Sequence, residues 1–230
     1  RRALEDAREK LALFVGAEDP VEIIFTSGGT EANNMALKGA VTASGKPRIV
    51  SSNIEHSSIR LPIGAIVSAG HATTTAVAVK PDGIIDPDAV NNAITPDTAV
   101  VTIMAANNEI GTIQPVDQIG ALCRRKGVPF HTDAVQLAGK SRVDVKAIGC
   151  DLLTLSGHKF GAPKGTGILY VRRGTRLSAL VHGGHQEKNR RGGTENVPGI
   201  VAMAAAAEAA MAEMEVESVR IGRLGDLFET

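Results

Sequence analysis

Apolar residues at the start of the chain recur at helical spacing. Leu4, Ala7, Leu11 and Phe14 or Val15 lie three or four apart, which predicts an amphipathic helix over the first fifteen residues. After the break "GAEDP", the run "VEIIFT" predicts a strand ending at Thr26, and "SGGTEANNMALKGAVTA" opens with glycine turn signals and continues as a helix through Met35, Leu37 and Val41. The alternation then repeats. "RIVSS" predicts a strand, "EHSSIRLPIGAIVSAG" a helix disturbed by Pro62, and "TTTAVAV" another strand. "DPDAVNNAI" predicts a helix capped by Asp86 with Pro87 in its first turn. "AVVTIMAA", "VPFHTDA", "DLLTL" and "GTGILYV" predict four more strands, with the helix "VDQIGALCRRKG" between the first two. Strands alternating with helices predict an α/β, three-layer domain: a mostly parallel sheet flanked by helices.

From Pro198 onward an alanine-rich segment predicts one long helix by propensity. The expected organisation is a helix at 1–19 leading into the domain, a large domain at 20–205, and a long helix at 206–230 leading toward a further domain. The absence of an initiating methionine suggests a piece of a longer protein.

Chain length and a 43% apolar composition allow one α/β domain with a sizeable core. Lys plus Arg equals Asp plus Glu at 25 each, so no overall field favours nucleic acid or an anionic membrane. There is no uninterrupted run of 18 apolar residues, and "RRALEDAREK" lacks the apolar core of a signal peptide. With only Cys123 and Cys150, no disulfide framework is expected, and the expected compartment is a reducing cytoplasm.

In open α/β sheets, ligands collect beyond the carboxyl ends of the strands. The chemically distinctive residues fall there: Gly28, Gly29 and Thr30; Asn107 and Asn108; Asp133 and Gln136; Ser156, His158 and Lys159. In "LSGHKF", Lys159 stands at the mouth of a strand expected to be buried, where an ammonium is costly, and an amine that forms a covalent imine avoids that cost. A surface lysine paired with a carboxylate is the alternative. Asp133 is suited to a protonated pyridine nitrogen, with Gln136 on the same side if the chain turns helical there, although a capping role fits Asp133 equally. Backbone amides of Gly29 and Thr30, the hydroxyls of Thr30 and Ser156, and the His158 imidazole are donors for a phosphate. His56 is placed to lie over an aromatic ring and move protons, or else to cap a helix. Asn108 is placed to donate its amide to a phenolic oxygen.

"GAPKGTG" lacks the ending of a nucleotide-binding P-loop, and "SGGTE" lacks dinucleotide-site spacing. Neither His131, Asp133 and His158 nor His182 and His185 of "HGGH" have the spacing of a known metal motif, so no metal is expected.

The stretches "EIIFTSGGTEANN", "EHSS", "NNEIGTIQP", "HTDAVQLAGK", "LSGHKFGAPKGTG" and "HGGHQEKNRRGGTEN" together resemble the large domain of cysteine desulfurases, in the aminotransferase class V branch of fold-type I pyridoxal-phosphate enzymes. The resemblance implies the fold-type I transferase fold, a cofactor-binding domain at 20–205 and pyridoxal 5'-phosphate as cofactor. It implies that Lys159 carries the cofactor, Asp133 faces its ring nitrogen, Gln136 and Asn108 face its phenolic oxygen, and His56 stacks on its ring. Gly29, Thr30, Ser156, Gly157 and His158 would hold the phosphate. Thr194 would serve the phosphate of a neighbouring subunit, which implies a homodimer. The implied reaction converts L-cysteine to L-alanine and passes sulfur, as an enzyme persulfide, to an acceptor such as an iron–sulfur scaffold protein.

That family's sulfur-accepting cysteine and substrate-binding arginine lie beyond the long helix. Cys123, within a predicted helix, and Cys150, just before a strand, are not expected to replace the cysteine, so little turnover is expected of this polypeptide alone. A selenocysteine lyase, an aminotransferase, or an inactive dimerisation fragment would share the same cofactor residues.

Overall fold

A computed structural model describes residues 2–229. The first helix, α1 (Arg2–Val15), buries Leu4, Ala7, Leu11, Phe14 and Val15, the stripe its spacing predicts. The strand expected from Val21 begins later. Pro20–Glu22 form a 3-10 turn because Asp19 accepts from the Val21 amide while the Glu22 carboxylate accepts from the Asp19 amide, and Pro20 suits that first turn. Strand β1 is therefore Ile23–Thr26. Helix α2 (Gly29–Ser44), strand β2 (Arg48–Ser52), helix α3 (Ser57–Ser68) and strand β3 (Thr73–Val77) follow. α3 runs unbroken through Pro62, whose side chain is buried in the core. Next come α4 (Pro87–Ala93), β4 (Thr98–Thr102), α5 (Val116–Lys126) and β5 (Phe130–Asp133), with Asp86 capping α4 as its sequence predicts. The short helix α6 (Val145–Ile148), β6 (Leu152–Ser156), β7 (Gly167–Val171) and α7 (Val197–Glu229) complete the order.

The seven strands form one sheet in the order β1-β7-β6-β5-β4-β2-β3. All adjacent pairs are parallel except those made by β7, which runs antiparallel to both β1 and β6. Two reversals restore direction, so β1 points the same way as β2 to β6. The carboxyl ends of six strands thus share one edge.

Side chains alternate between two cores, as the pleat requires. Ile49, Leu152 and Leu169 join Met35, Leu37, Ile59 and Ile63 of α2 and α3 on one face. Val50, Leu153, Ile168 and Tyr170 join α1, α5 and α7 on the other. By length and composition alone α7 is apolar enough to cross a bilayer. Its first turns instead bury Ile200, Met203, Ala204 and Ala207 in the same core as α1, and Glu213, Glu215, Glu217, Arg220, Arg223 and Asp226 follow along the helix. Continuous charge of that density is costly in hydrocarbon; α7 packs on the core through its first turns, and its later turns are largely exposed. It begins at Val197, within the segment expected to form the body of the large domain.

A buried ion pair locks the long loop before α7 to the sheet. Arg8 of α1 grips Glu187 with two bonds of 2.8 Å and also donates to the Ile23 carbonyl, while the Phe25 amide donates to Glu187. The guanidinium lies 4.4 Å from the centre of the Phe25 ring, an additional cation–π contact. Glu187, Lys188 and Asn189 all have positive φ, of 45°, 55° and 66°. Such a run is unfavourable for residues with side chains, and the Arg8 clamp holds its first member. Replacing Arg8 with alanine leaves the Glu187 carboxylate buried without its partner, with an expected cost of about 3–5 kcal/mol. Replacing Lys10, half-exposed in its pair with Glu208, is expected to cost less than about 1 kcal/mol; urea unfolding of the two variants measures the difference.

Candidate functional site

The shared edge of the sheet opens into a cleft of about 580 Å³, in the range of small-ligand sites. Nine residues expected at the site line it: Gly29, Thr30, His56, Asn108, Asp133, Gln136, Ser156, His158 and Lys159. They arrive from the ends of β1, β2, β4, β5 and β6. Gly157 is buried in the turn behind the wall. Thr194 does not reach the cleft; it is exposed beside a smaller cavity lined also by Thr26, Arg191 and Thr166, which shares Ser27 and Gly165 with the main cleft.

The turn "SGGT" is shaped by two different demands. Gly28 has φ 152°, which a side chain rarely adopts. Gly29 has no such strain, but a Cβ there would lie 3.1 Å from Val135 Cγ2 and 3.3 Å from Ser156 Cβ. No side chain caps α2 at Gly28, so its first amides face the cleft unpaired, the arrangement that attracts an anion. Glu31, in the first turn, is directed away from that role: its carboxylate accepts from the Ser27 amide at 2.9 Å and from Arg191 at 2.8 and 3.2 Å. Burial pushes its pKa up, but the Arg191 and Ser27 bonds prevail and hold it below the usual carboxylate value.

Lys159 lies on the 3-10 turn Gly157–Phe160, fixed by burial of Phe160, whose ring centre is 5.1 Å from that of Phe14. The amine itself is solvent-exposed. That corrects the expectation of a desolvated ammonium: the sheet's end is buried, but the turn lifts the side chain clear. The alternative of a surface ion pair is not met either, because Lys159 has no salt bridge or hydrogen bond among the described residues. Beside it, Ser156 Oγ lies 3.0 Å from His158 Nδ1.

Asp133 is fully buried at the end of β5. Its Oδ2 accepts from Asn33 Nδ2 at 2.8 Å and its Oδ1 from the Val135 amide at 3.0 Å. Burial raises its pKa, against the opposing pull of Asn33, Val135 and the nearby His56. Asp133 forms no salt bridge among the described residues. The chain beyond it makes hydrogen-bonded turns, with Ala134 O accepting from Leu137 and Ala138, rather than the helix the sequence allows; Gln136 still reaches the cleft and accepts from Lys140 at 3.0 Å. His56 caps α3, its Nδ1 accepting from the Ser58 amide at 3.1 Å, so the capping and cleft-lining roles coexist.

Sequence reasoning missed Asn33, Ser58 and Glu55. Asn33 stands one helical turn after Gly29 and Thr30, a spacing that does place it on their face. Glu55 lies behind the cleft, accepting from Ser52 Oγ at 2.6 Å and from the Met104 amide at 2.9 Å, and so ties the ends of β2 and β4 together. His131, one of the residues weighed as a metal ligand, is buried between the Thr102 and Thr154 hydroxyls at 2.8 and 3.1 Å.

The model of the family described as aminotransferase class-V matches residues 1–222. The chain belongs to the aminotransferase class-V family. This family is pyridoxal-phosphate-dependent. Among its relatives, the chain is 47% identical over 231 residues to the cysteine desulfurase IscS of Dictyoglomus turgidum, covering 99% of this chain and 58% of that protein. It is 46% identical to the cysteine desulfurase IscS of Methanosarcina thermophila, covering 98% of this chain and 56% of that one. A solved NifS-like protein superposes with a TM-score of 0.91 at 37% identity, covering 99% of this chain and 64% of that one. DndA from Streptomyces lividans superposes at 0.86 with 38% identity, covering 93% and 62%. The fold is the fold-type I transferase fold expected from the motifs. The chain spans somewhat more than half the length of these curated relatives.

The cleft's chemistry fits this family's cofactor on two observations. Asp133 is a buried carboxyl met only by neutral donors, so a protonated ring nitrogen would supply the missing cation. The uncapped start of α2, with Thr30, Ser156 and His158, supplies hydrogen-bond donors where a phosphate would sit.

Burial raises the Glu55 pKa from its ordinary 4.5 to about 8, aided by the Asp133 charge and opposed by the Ser52 and Met104 bonds. The folded protein therefore binds this proton between pH 4.5 and 8 while the unfolded chain releases it, so its contribution to stability is lost as pH rises through that window. Glu55→Gln, which imitates the protonated form, is expected to flatten that decline; chemical unfolding of both proteins at pH 5 and pH 8 checks it, with parallel loss in both proteins as the contrary result.

Proposed function

We propose that the cleft binds pyridoxal 5'-phosphate and that the protein is a cysteine desulfurase, acting as a homodimer in a reducing cytoplasm. The observation that supports this most is the convergence of nine expected residues around one buried carboxyl that forms no salt bridge among the described residues. Lys159 would carry the cofactor through its exposed, unpaired amine. Asp133 would hold the ring nitrogen, with His56 over the ring, and Asn108 and Gln136 would face the phenolic oxygen. Gly29, Thr30, Ser156 and His158 would hold the phosphate, with Gly157 keeping their turn close. Thr194, exposed and outside its own chain's cleft, suits the phosphate of a second subunit.

When bound, the cofactor supplies an electron sink for bonds at the substrate's α-carbon. Beside the bound cofactor, Lys159 would be the residue to move the substrate's α-proton. The overall conversion of L-cysteine and a protein thiol to L-alanine and a persulfide breaks the substrate C–S bond and the accepting thiol's S–H bond, and forms one S–S bond and the third C–H bond of the alanine methyl group. The sulfur then passes to an acceptor such as an iron–sulfur scaffold protein, a role in keeping with the IscS names of the relatives.

The accepting thiol comes from outside this cleft. Cys123 and Cys150 are both buried; burial and the Asp151 charge push the Cys123 thiol up to about 12 and Cys150 higher still, whereas a nucleophile must be a thiolate.

Borohydride reduction after loading with pyridoxal phosphate is expected to leave a pyridoxyl group on the peptide containing Lys159, read by mass spectrometry, and none in Lys159→Ala. Labelling spread over other lysines, undiminished in the variant, would refute the assignment. Alanine as the amino-acid product from cysteine, rather than a keto acid, separates desulfuration from transamination.

A further inference from the structure

A continuous hydrogen-bonded chain links His56 and Asp133, the two side chains that would meet the cofactor ring. His56 Nδ1 is 2.7 Å from Ser58 Oγ, Ser58 Oγ is 2.8 Å from Asn33 Nδ2, and Asn33 Nδ2 is 2.8 Å from Asp133 Oδ2. We propose that Asn33 and Ser58 are positioning residues that fix His56 in the tautomer carrying its proton on Nε2 and hold Asp133 as the acceptor at the opposite end.

The direction of each bond follows from the donors available. The Ser58 backbone amide has only a hydrogen to offer, and it points to His56 Nδ1 at 3.1 Å, so Nδ1 presents its lone pair. The Ser58 hydroxyl, close to the same nitrogen, must then donate to it. That leaves Ser58 Oγ to accept from Asn33, whose amide nitrogen has two hydrogens, one for Ser58 and one for Asp133. With the Val135 amide on its other oxygen, Asp133 meets a donor at each oxygen. A reversed Asn33 amide would set its carbonyl against both the carboxylate and a hydroxyl committed elsewhere.

The arrangement has an internal cost. Asn33 is 1% exposed, and its Oδ1 is buried without a partner. An unpaired buried carbonyl is unfavourable, and keeping it here gives both amide hydrogens to Ser58 and Asp133. The remaining His56 nitrogen, Nε2, has no hydrogen-bond partner among the described residues. In the neutral ring it bears the proton, so His56 enters the reaction as a proton donor and the acceptor role falls to Lys159.

The consequence for catalysis rests on the cofactor reading, but the tautomer can be measured without it. Nitrogen-15 NMR of the histidine-labelled, cofactor-free chain at alkaline pH is expected to show His56 with Nδ1 unprotonated and Nε2 protonated. Ser58→Ala is expected to shift the Nδ1 resonance and Ser58→Thr, which keeps the hydroxyl, to restore it. Asn33→Asp, nearly isosteric but without the amide donors, is expected both to disturb the His56 signals and to weaken pyridoxal phosphate binding by about tenfold, the equivalent of one pKa unit at the paired carboxylate. A proton on Nδ1 in the unsubstituted chain, or Asn33→Asp with the His56 signals and cofactor affinity both unchanged, would overturn the proposal. If the unsubstituted chain binds no pyridoxal phosphate, the functional reading falls, and the His56 signature in the parent, Ser58→Ala and Ser58→Thr chains alone decides this one.

Discussion

Asp133 presents a carboxyl at the end of β5 with an N–H donor on each oxygen and with no salt-bridge partner among the described residues. A carboxylate removed from water at such a place is poorly compensated by neutral donors alone. Much of the surrounding architecture bears on that one group. Asn33 is buried to reach it, the Gly29 backbone passes close to Val135 just after it, and Glu55 behind the cleft is driven toward its protonated form partly by the Asp133 charge. A ligand bringing a cationic N–H satisfies the carboxyl; a purely anionic or apolar ligand does not.

The sheet's connectivity makes the convergence possible. Because β7 is the one reversed strand, β1 regains the direction of the parallel set, and the Gly-Gly turn after it lies beside Ser156 at the end of β6. The lysine turn is held from below by Phe160 against Phe14, so α1 steadies the site from the far face of the sheet. The same helix supplies Arg8, whose grip on Glu187 secures the loop that delivers Arg191 to Glu31 and leaves Thr194 exposed. One N-terminal helix thus supports both the lysine and the segment expected to serve a second subunit.

Much of this was legible in the sequence because it rests on local signals. Helical spacing in α1, the Asp86–Pro87 start of α4 and the apolar strand runs each report short-range physics, and glycine pairs after a strand mark where backbone must approach a ligand. The shift from strand to 3-10 turn at Pro20–Glu22 depends on a reciprocal cap between Asp19 and Glu22, which apolar periodicity overrides when read alone. The exposure of Lys159 depends on how a four-residue turn leaves the sheet, which no pattern of residue types encodes. Asn33, Ser58 and Glu55 were passed over for a related reason: they pair with Asp133, Asn33 and Met104, which are 100, 25 and 49 residues away along the chain, and polar residues on an otherwise ordinary helix or turn become informative only when those partners are in place.

On the proposed reading, the carboxylate of Asp133 would keep a bound pyridine nitrogen protonated. Nitrogen-15 NMR of pyridoxal phosphate labelled at its ring nitrogen, bound to the protein and titrated with base, tests it directly. The bound nitrogen is expected to remain protonated through a pH range in which the free cofactor loses its proton, and to revert toward free behaviour in Asp133→Ala. A ring nitrogen that titrates in the bound state as it does in solution would contradict it.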